Sequence, residues 1–177
     1  MKRLLLLRHA KAVQGGSKSG DFERPLNERG AHDAPRMGAI MHHRHYIPDL
    51  VLCSTSRRTK ETWEHVAPEL NAKPEVIFSD ELYLASAKLV ANSVRSIKRP
   101  AGTVLVVGHN PGLEDCARSL ARKPGSDEER GYLERLLEKF PTAALAVLEF
   151  DVAAWSEIEA GAGKLVDFLR PKEVTGG

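Results

Sequence analysis

The chain has 177 residues, 42% hydrophobic and 28% charged, with a formal net charge of +2. That length suits one domain, spanning 1–177, with a real hydrophobic core. Its 26 Lys and Arg nearly balance 24 Asp and Glu, which does not suggest a nucleic-acid binder, so any cations that matter must be clustered locally.

The N-terminus reads MKRLLLLRHAKA. Its apolar run, Leu4–Leu7, is ended by Arg8-His9 and is too short for a signal-peptide core. It reads instead as a short buried strand, and no stretch of the chain reaches the length of a membrane span. Gln14–Gly20 (QGGSKSG) is expected as a mobile loop. Asn27 is the N-cap of a helix running to His43, with Glu28 in its first turn and Pro35 making its early part irregular. Leu50–Cys53 is a second buried strand. Ser56–Leu70 is a helix whose end Pro68 disturbs, and Val76–Phe78 is a weaker strand candidate. A third helix covers Ala85–Ile97. Val104–Val107 is the next strand, and Asn110-Pro111 opens a helix with Asn as cap and Pro at its first position. Lys123–Asp127 is a loop rather than a domain linker. Asp127–Glu138 is a helix with an acidic start that suits its dipole. Ala144–Phe150 and, more weakly, Leu165–Leu169 complete the strands, and Thr175–Gly177 are expected to fray.

Strands that lack polar alternation belong to a sheet covered on both faces. Alternation with helices predicts an α/β fold: a three-layer α/β/α sandwich with a mostly parallel central sheet. The two cysteines, Cys53 and Cys116, form no C-x-x-C pair and sit in apolar surroundings. They read as packing residues in a reduced, cytoplasmic setting.

In such sheets ligands bind beyond the carboxyl ends of the strands. Arg8-His9 follows the first apolar run, Ser54-Thr55-Ser56-Arg57-Arg58 the second, and Gly108-His109-Asn110 the third. Two histidines and several arginines are therefore expected at one edge, a set suited to binding an anion.

These segments resemble the histidine phosphatase superfamily, the group that includes phosphoglycerate mutase. LLLLRHAKA is similar to its Arg-His motif, STSRRTKET to its second motif, and VVGHNPGLED to the third, which carries a second histidine. DFERPLNERG, KFPTAALAVLEF and VDFLRPKE resemble the short branch of SixA-type phosphohistidine phosphatases, and the likeness runs from about Arg3 to Lys172. The resemblance implies a phosphoglycerate mutase-like fold without a large cap insertion. It also implies a cofactor-independent phosphatase with no metal. His9 matches the histidine that becomes phosphorylated, Arg8 the arginine beside it, Arg58 the second-motif arginine, and His109 the second phosphate-contacting histidine. Arg24 matches a recurrent residue of the short branch and is expected at the pocket rim. Arg57 receives no role by this likeness. Many larger members carry a glutamate general acid after a Leu-Tyr pair, but here Leu84 follows Leu82-Tyr83. Glu81 and Asp80 are the nearby carboxylates left as substitutes.

A phosphoryl group needs several donors in its transition state, which forked guanidinium groups supply well. Imidazole departs from phosphohistidine more readily than an alkoxide departs from a phosphoester, so a missing general acid favours phosphohistidine as substrate. The expected partner is a phosphohistidine-bearing protein of a phosphorelay, with no nucleic acid or membrane partner and a monomer or weak oligomer as the working form. The alternatives are a broad phosphatase of small phosphomonoesters, a metal-dependent hydrolase using His9 and His109 as ligands, and a non-catalytic phosphate-binding module. His42-His43-Arg44-His45 lacks the i, i+4 spacing of helical metal ligands and reads as a solvated helix end. Lys11 reads as a bystander, and Trp63 and Trp155 as packing residues.

Overall fold

In the computed structural model, which describes residues 1–15 and 20–173, the apolar runs form strands β1 (Lys2–Arg8), β2 (Leu50–Ser54), β3 (Glu75–Ser79), β4 (Thr103–Gly108), β5 (Leu145–Phe150) and β6 (Lys164–Leu169). They hydrogen-bond as one sheet in the order β3-β2-β4-β1-β5-β6. Pairing is parallel from β3 through β1, whereas β5 runs antiparallel to both β1 and β6. The helices are α1 (Glu28–His43), α2 (Arg57–Val66), α3 (Ala87–Arg95), α4 (Gly112–Leu120) and α5 (Asp127–Glu138).

Successive side chains of a strand point to opposite faces, and here both faces are apolar. Leu4, Leu6, Val104 and Val106 join one core with Val90 and Val94 of α3, Leu113 and Cys116 of α4, and Leu136 of α5. Leu5, Leu7, Leu105 and Val107 join a second core with Met37 and Met41 of α1 and Trp63 and Val66 of α2. The sheet is thus the middle of three layers. All four leucines of β1 are fully buried, and each such burial contributes about 1.5–3 kcal/mol.

Three local expectations are corrected. Pro35 does not disrupt α1, which runs unbroken through it. The residue four positions earlier, whose carbonyl Pro35 cannot serve, is the exposed Ala31. The helix after His109 starts later than expected: Pro111 is its N-cap behind a cis Asn110-Pro111 bond, and Gly112 is its first residue. Asn110 still serves the helix, because its Oδ1 accepts from the Glu114 N–H at 3.2 Å. The third helix is shorter than Ala85–Ile97, since Ser86 caps it by accepting from the Leu89 N–H. Asn27 caps α1 as expected, and Pro68 falls in a 3₁₀ turn, Ala67–Leu70, that ends α2. Of the loop expected at 14–20, residues 16–19 lie outside the described residues, as do Thr175–Gly177.

Two glycines let helices approach the sheet edge closely. A Cβ on Gly30 would lie 2.1 Å from the Lys11 carbonyl oxygen, and one on Gly112 would lie 1.9 Å from that of Ala85. The start of α1 is thereby seated on the segment after His9, and the start of α4 on the turn after Leu84. No helix of the described residues is long and apolar enough to cross a membrane.

Candidate active site at the carboxyl edge

β1, β2 and β4 are parallel neighbours, so their carboxyl ends share one edge. Arg8 pairs in register with Gly108, and the His9 N–H donates to the Gly108 carbonyl at 3.0 Å. His9 and His109 therefore emerge side by side, with ring centroids 5.4 Å apart. Behind β2, Ser56 caps α2 by accepting from the Thr59 N–H, which places Arg58 in the first turn facing the same edge. One turn later, the Thr62 hydroxyl accepts from the Ala10 N–H at 2.9 Å and donates to the Arg58 carbonyl at 2.7 Å. Thr62 thus ties the backbone just beyond His9 to the helix that carries Arg58.

The hydrogen bonds fix both imidazole tautomers. His9 Nδ1 lies 2.8 Å from the Ala10 carbonyl oxygen, which can only accept, so Nδ1 carries the proton. Nε2 then carries the lone pair, which accepts from Arg58 Nε at 3.3 Å. His109 Nδ1 lies 3.3 Å from Arg58 Nη2, which can only donate, so that nitrogen is unprotonated. His109 Nε2 must then donate to Ser54 Oγ, at 2.8 Å. Burial lowers the His9 pKa to about 3; the bond to the Ala10 carbonyl opposes it, and the cations of Arg58, Arg8 and Arg24 add smaller contributions in the direction of burial. Burial, His9 and Arg58 lower that of His109 to about 3. Both rings are neutral at physiological pH.

Arg58 is 2% exposed and makes four polar contacts at once. Besides the two histidines, its Nη1 donates to the Asp21 carbonyl at 2.8 Å and its Nη2 to Asp21 Oδ2 at 3.0 Å. Asp21 also accepts from the Tyr83 hydroxyl and pairs with Arg24 at 2.8 Å. The Tyr83 bond, then Arg24 and Arg58, hold the Asp21 carboxyl well below the usual carboxylate range. Arg24 reaches further, donating to the Val13 carbonyl at 2.8 Å. Arg8 donates through Nη1 to the Phe140 carbonyl at 3.1 Å, while its buried Nε has no partner among the described residues.

Arg8, His9, Arg58 and His109 line one pocket of about 410 Å³, with Asp21, Arg24 and Leu84 at its mouth. Every residue expected at the phosphate site is therefore gathered there. Arg57 is not: it is exposed and paired with Glu61 at 2.7 Å. Glu81 and Asp80 are absent from this pocket. Asp80 accepts from the Thr55 hydroxyl at 2.5 Å, and Glu81 borders a separate hollow beside Leu82 and Leu89. Sequence reasoning missed Asp21, Tyr83 and Ser54 as neighbours of the arginine and histidines. Asp21 stood three residues before Arg24, and Ser54 ended an apolar run. Lys11 lines the pocket rather than standing aside. Among the described residues no group of three or more His, Cys, Asp and Glu is placed to hold a metal ion, and His42, His43 and His45 are exposed.

The arrangement offers a nucleophilic ring nitrogen beside two guanidinium groups, which suits transfer of an anionic group to nitrogen. The family model for the histidine phosphatase superfamily (branch 1) matches residues 4–83. A solved chain from Agrobacterium tumefaciens, described as a candidate phosphohistidine phosphatase SixA, is 30% identical and has a TM-score of 0.78, with 96% of this chain and 98% of that one covered. The chain belongs to the histidine phosphatase superfamily. This histidine phosphatase is also 28% identical to a candidate SixA from Nakamurella, at a TM-score of 0.81 with 96% of each chain covered. A Mycobacterium tuberculosis protein without an assigned role is 33% identical over 166 residues, which span 94% of this histidine phosphatase and all of that protein.

Proposed function

We propose that this phosphatase removes phosphoryl groups from phosphohistidine residues of phosphorelay proteins, through a phosphohistidine intermediate on His9. The observation that carries the reading is the His9 tautomer. With Nδ1–H held by the Ala10 carbonyl, Nε2 carries the lone pair, and Arg58 Nε turns from it to a phosphoryl oxygen as Nε2 attacks phosphorus. Attack forms the Nε2–P bond while the P–N bond to the substrate imidazole breaks. That imidazole, protonated on its other nitrogen, departs neutral. Arg8 and Arg58 offer the donors for the transferring oxygens, with Arg24 at the rim. Substrate phosphate draws the His109 ring toward its protonated form, which adds one more donor.

Water then attacks phosphorus, the Nε2–P bond breaks, and the water's proton leaves with phosphate. Because Nδ1–H is retained throughout, phosphorylated His9 is an imidazolium and returns to the neutral ring without an added proton. Neither step requires a general acid, which fits a pocket lined by Leu84 and by an Asp21 carboxyl that Tyr83, Arg24 and Arg58 hold ionised. An alkoxide leaving from phosphoserine lacks this route. Cys53 and Cys116 are buried free thiols whose pKa values burial raises to about 12; the setting is read as reduced and cytoplasmic, and the working form as a monomer or weak oligomer.

The test is phosphate release from a phosphohistidine protein and a phosphoserine peptide, with wild type and His9→Ala in parallel. Selective release from phosphohistidine, abolished in the variant, is expected. Equal or better release from phosphoserine would favour a small-phosphoester phosphatase instead, and release that survives His9→Ala would overturn the mechanism.

A further inference from the structure

Beside the His9 pocket a second hollow, of about 340 Å³, lies against the start of α1, the segment after α5 and the stretch after β6. The two hollows adjoin, because Lys11 and Thr142 line both. The second one is rich in cations, but its guanidinium groups are engaged. Arg29 Nε lies 3.6 Å from Asp33 Oδ2, and Arg170 pairs with Glu173. Glu173 is bonded to Arg135 as well, at 2.5 Å. Both carboxylates of the hollow are thus neutralised from within the fold. The ammonium groups of Lys11, Lys139 and Lys172 remain, and none has a hydrogen bond or ion pair with the described residues. In a chain of net charge only +2, three uncompensated lysines around one hollow are a local excess.

We infer that this hollow docks an acidic segment of the protein substrate, next to the phosphohistidine that enters the His9 pocket. The inference rests on the function proposed above. Free lysines are compact charges on flexible stems, which suit carboxylates spaced irregularly along a peptide. A second phosphate would instead favour forked, bidentate guanidinium groups, and Arg29 and Arg170 are already paired. Pro141 and Pro171 border the hollow and stiffen its walls. Such a patch acts through attraction and encounter rather than chemistry, so it governs KM and salt dependence and leaves kcat unchanged.

The test uses two synthetic peptides of equal length, each with one phosphohistidine, flanked either by Asp and Glu or by Ser and Gly. Wild type is compared with Lys139→Glu/Lys172→Glu, which leaves Lys11 of the catalytic pocket in place. At low salt the wild type is expected to favour the acidic peptide on the order of 10-fold in kcat/KM, entirely through KM. The variant loses that preference yet turns over the neutral peptide at the wild-type rate, which also shows that it folds. Equal kcat/KM for both peptides on wild type, or a preference that survives charge reversal, would overturn the inference. A fluorescently labelled acidic peptide without phosphate, followed by anisotropy, separates docking from chemistry. If it binds wild type and not the variant while neither phosphopeptide is hydrolysed, docking stands and the proposed reaction falls. If it binds neither enzyme, the docking site is overturned.

Discussion

The Asp21 side chain accepts from Arg58 Nη2 at 3.0 Å while its own backbone carbonyl accepts from Nη1 at 2.8 Å. One residue outside the sheet therefore holds the central arginine through two separate oxygens. The same carboxylate faces the pocket as a negative charge, which opposes an entering phosphate. Asp21→Asn keeps the carbonyl contact and an amide oxygen for Arg58 but removes the charge. Inorganic phosphate is expected to inhibit this variant more tightly, by about 2–10-fold, as one unit charge at a solvated rim would produce, with kcat reduced less than threefold. An unchanged inhibition constant would mean that the ligand does not feel the Asp21 charge.

Adjacent arginines should behave very differently on truncation. Arg57→Ala removes an exposed i, i+4 pair with Glu61 and is expected to change neither the melting temperature nor the activity measurably. Arg58→Ala removes a donor set aimed at the site and is expected to lower kcat by about 10²–10³-fold. Parallel kinetics and thermal melts check both, and comparable losses would contradict the site as drawn.

Acid should weaken the fold through His9 and His109. In the unfolded chain each ring gains a proton near its ordinary value of 6.5, whereas in the fold neither does so until about 3. Between those values the unfolded state binds more protons. Stability is therefore fully present above about pH 6.5 and is lost as pH falls towards 3. Each histidine contributes a slope of about 1.4 kcal/mol per pH unit, so urea unfolding at pH 7 and pH 5 should differ by up to about 4 kcal/mol from this pair. Asp21 adds loss in the same direction below its unfolded value. A His9→Asn/His109→Asn variant should show a clearly shallower pH dependence, and an equal slope would refute the assignment.

Gly112 and Gly131 make an opposed pair. A methyl group at Gly112 meets the Ala85 carbonyl, whereas one at Gly131, within α5, meets nothing within 4 Å. Gly112→Ala is expected to destabilise by about 1–3 kcal/mol through overpacking and to reduce activity by shifting the Leu84 turn. Gly131→Ala should stabilise by about 0.5–1 kcal/mol through helix propensity. Chemical denaturation of both variants checks the signs.

Legibility in the sequence followed distance along the chain. His9 and His109 were readable because each directly follows an apolar strand, and Arg58 because it lies in the first turn after one. Parallel pairing then brings these strand ends together. Asp21 was harder to see. It sits in a short 3₁₀ turn, Asp21–Glu23, with no hydrophobic period, and reaches Arg58 across 37 positions. Ser54 shows its role only once β2 and β4 are neighbours, since its partner His109 directly follows β4. Pro35 misled because local propensity carries no information about the packing that keeps α1 helical through it. The late start of α4 escaped because the Asn110-Pro111 pair mimics a cap one residue early.

Leu84 stands at the pocket mouth with φ +51° and 56% exposure, an apolar side chain turned outward beside an anion site. Under the proposed chemistry it acts as a kinetic filter. An entrance open to any phosphorylated side chain would otherwise endanger every phosphoserine that drifts in. Without a proton donor at that position, the enzyme delegates the proton to its substrate. Under that proposal discrimination rests on the basicity of the departing atom, not on the shape of what carries it.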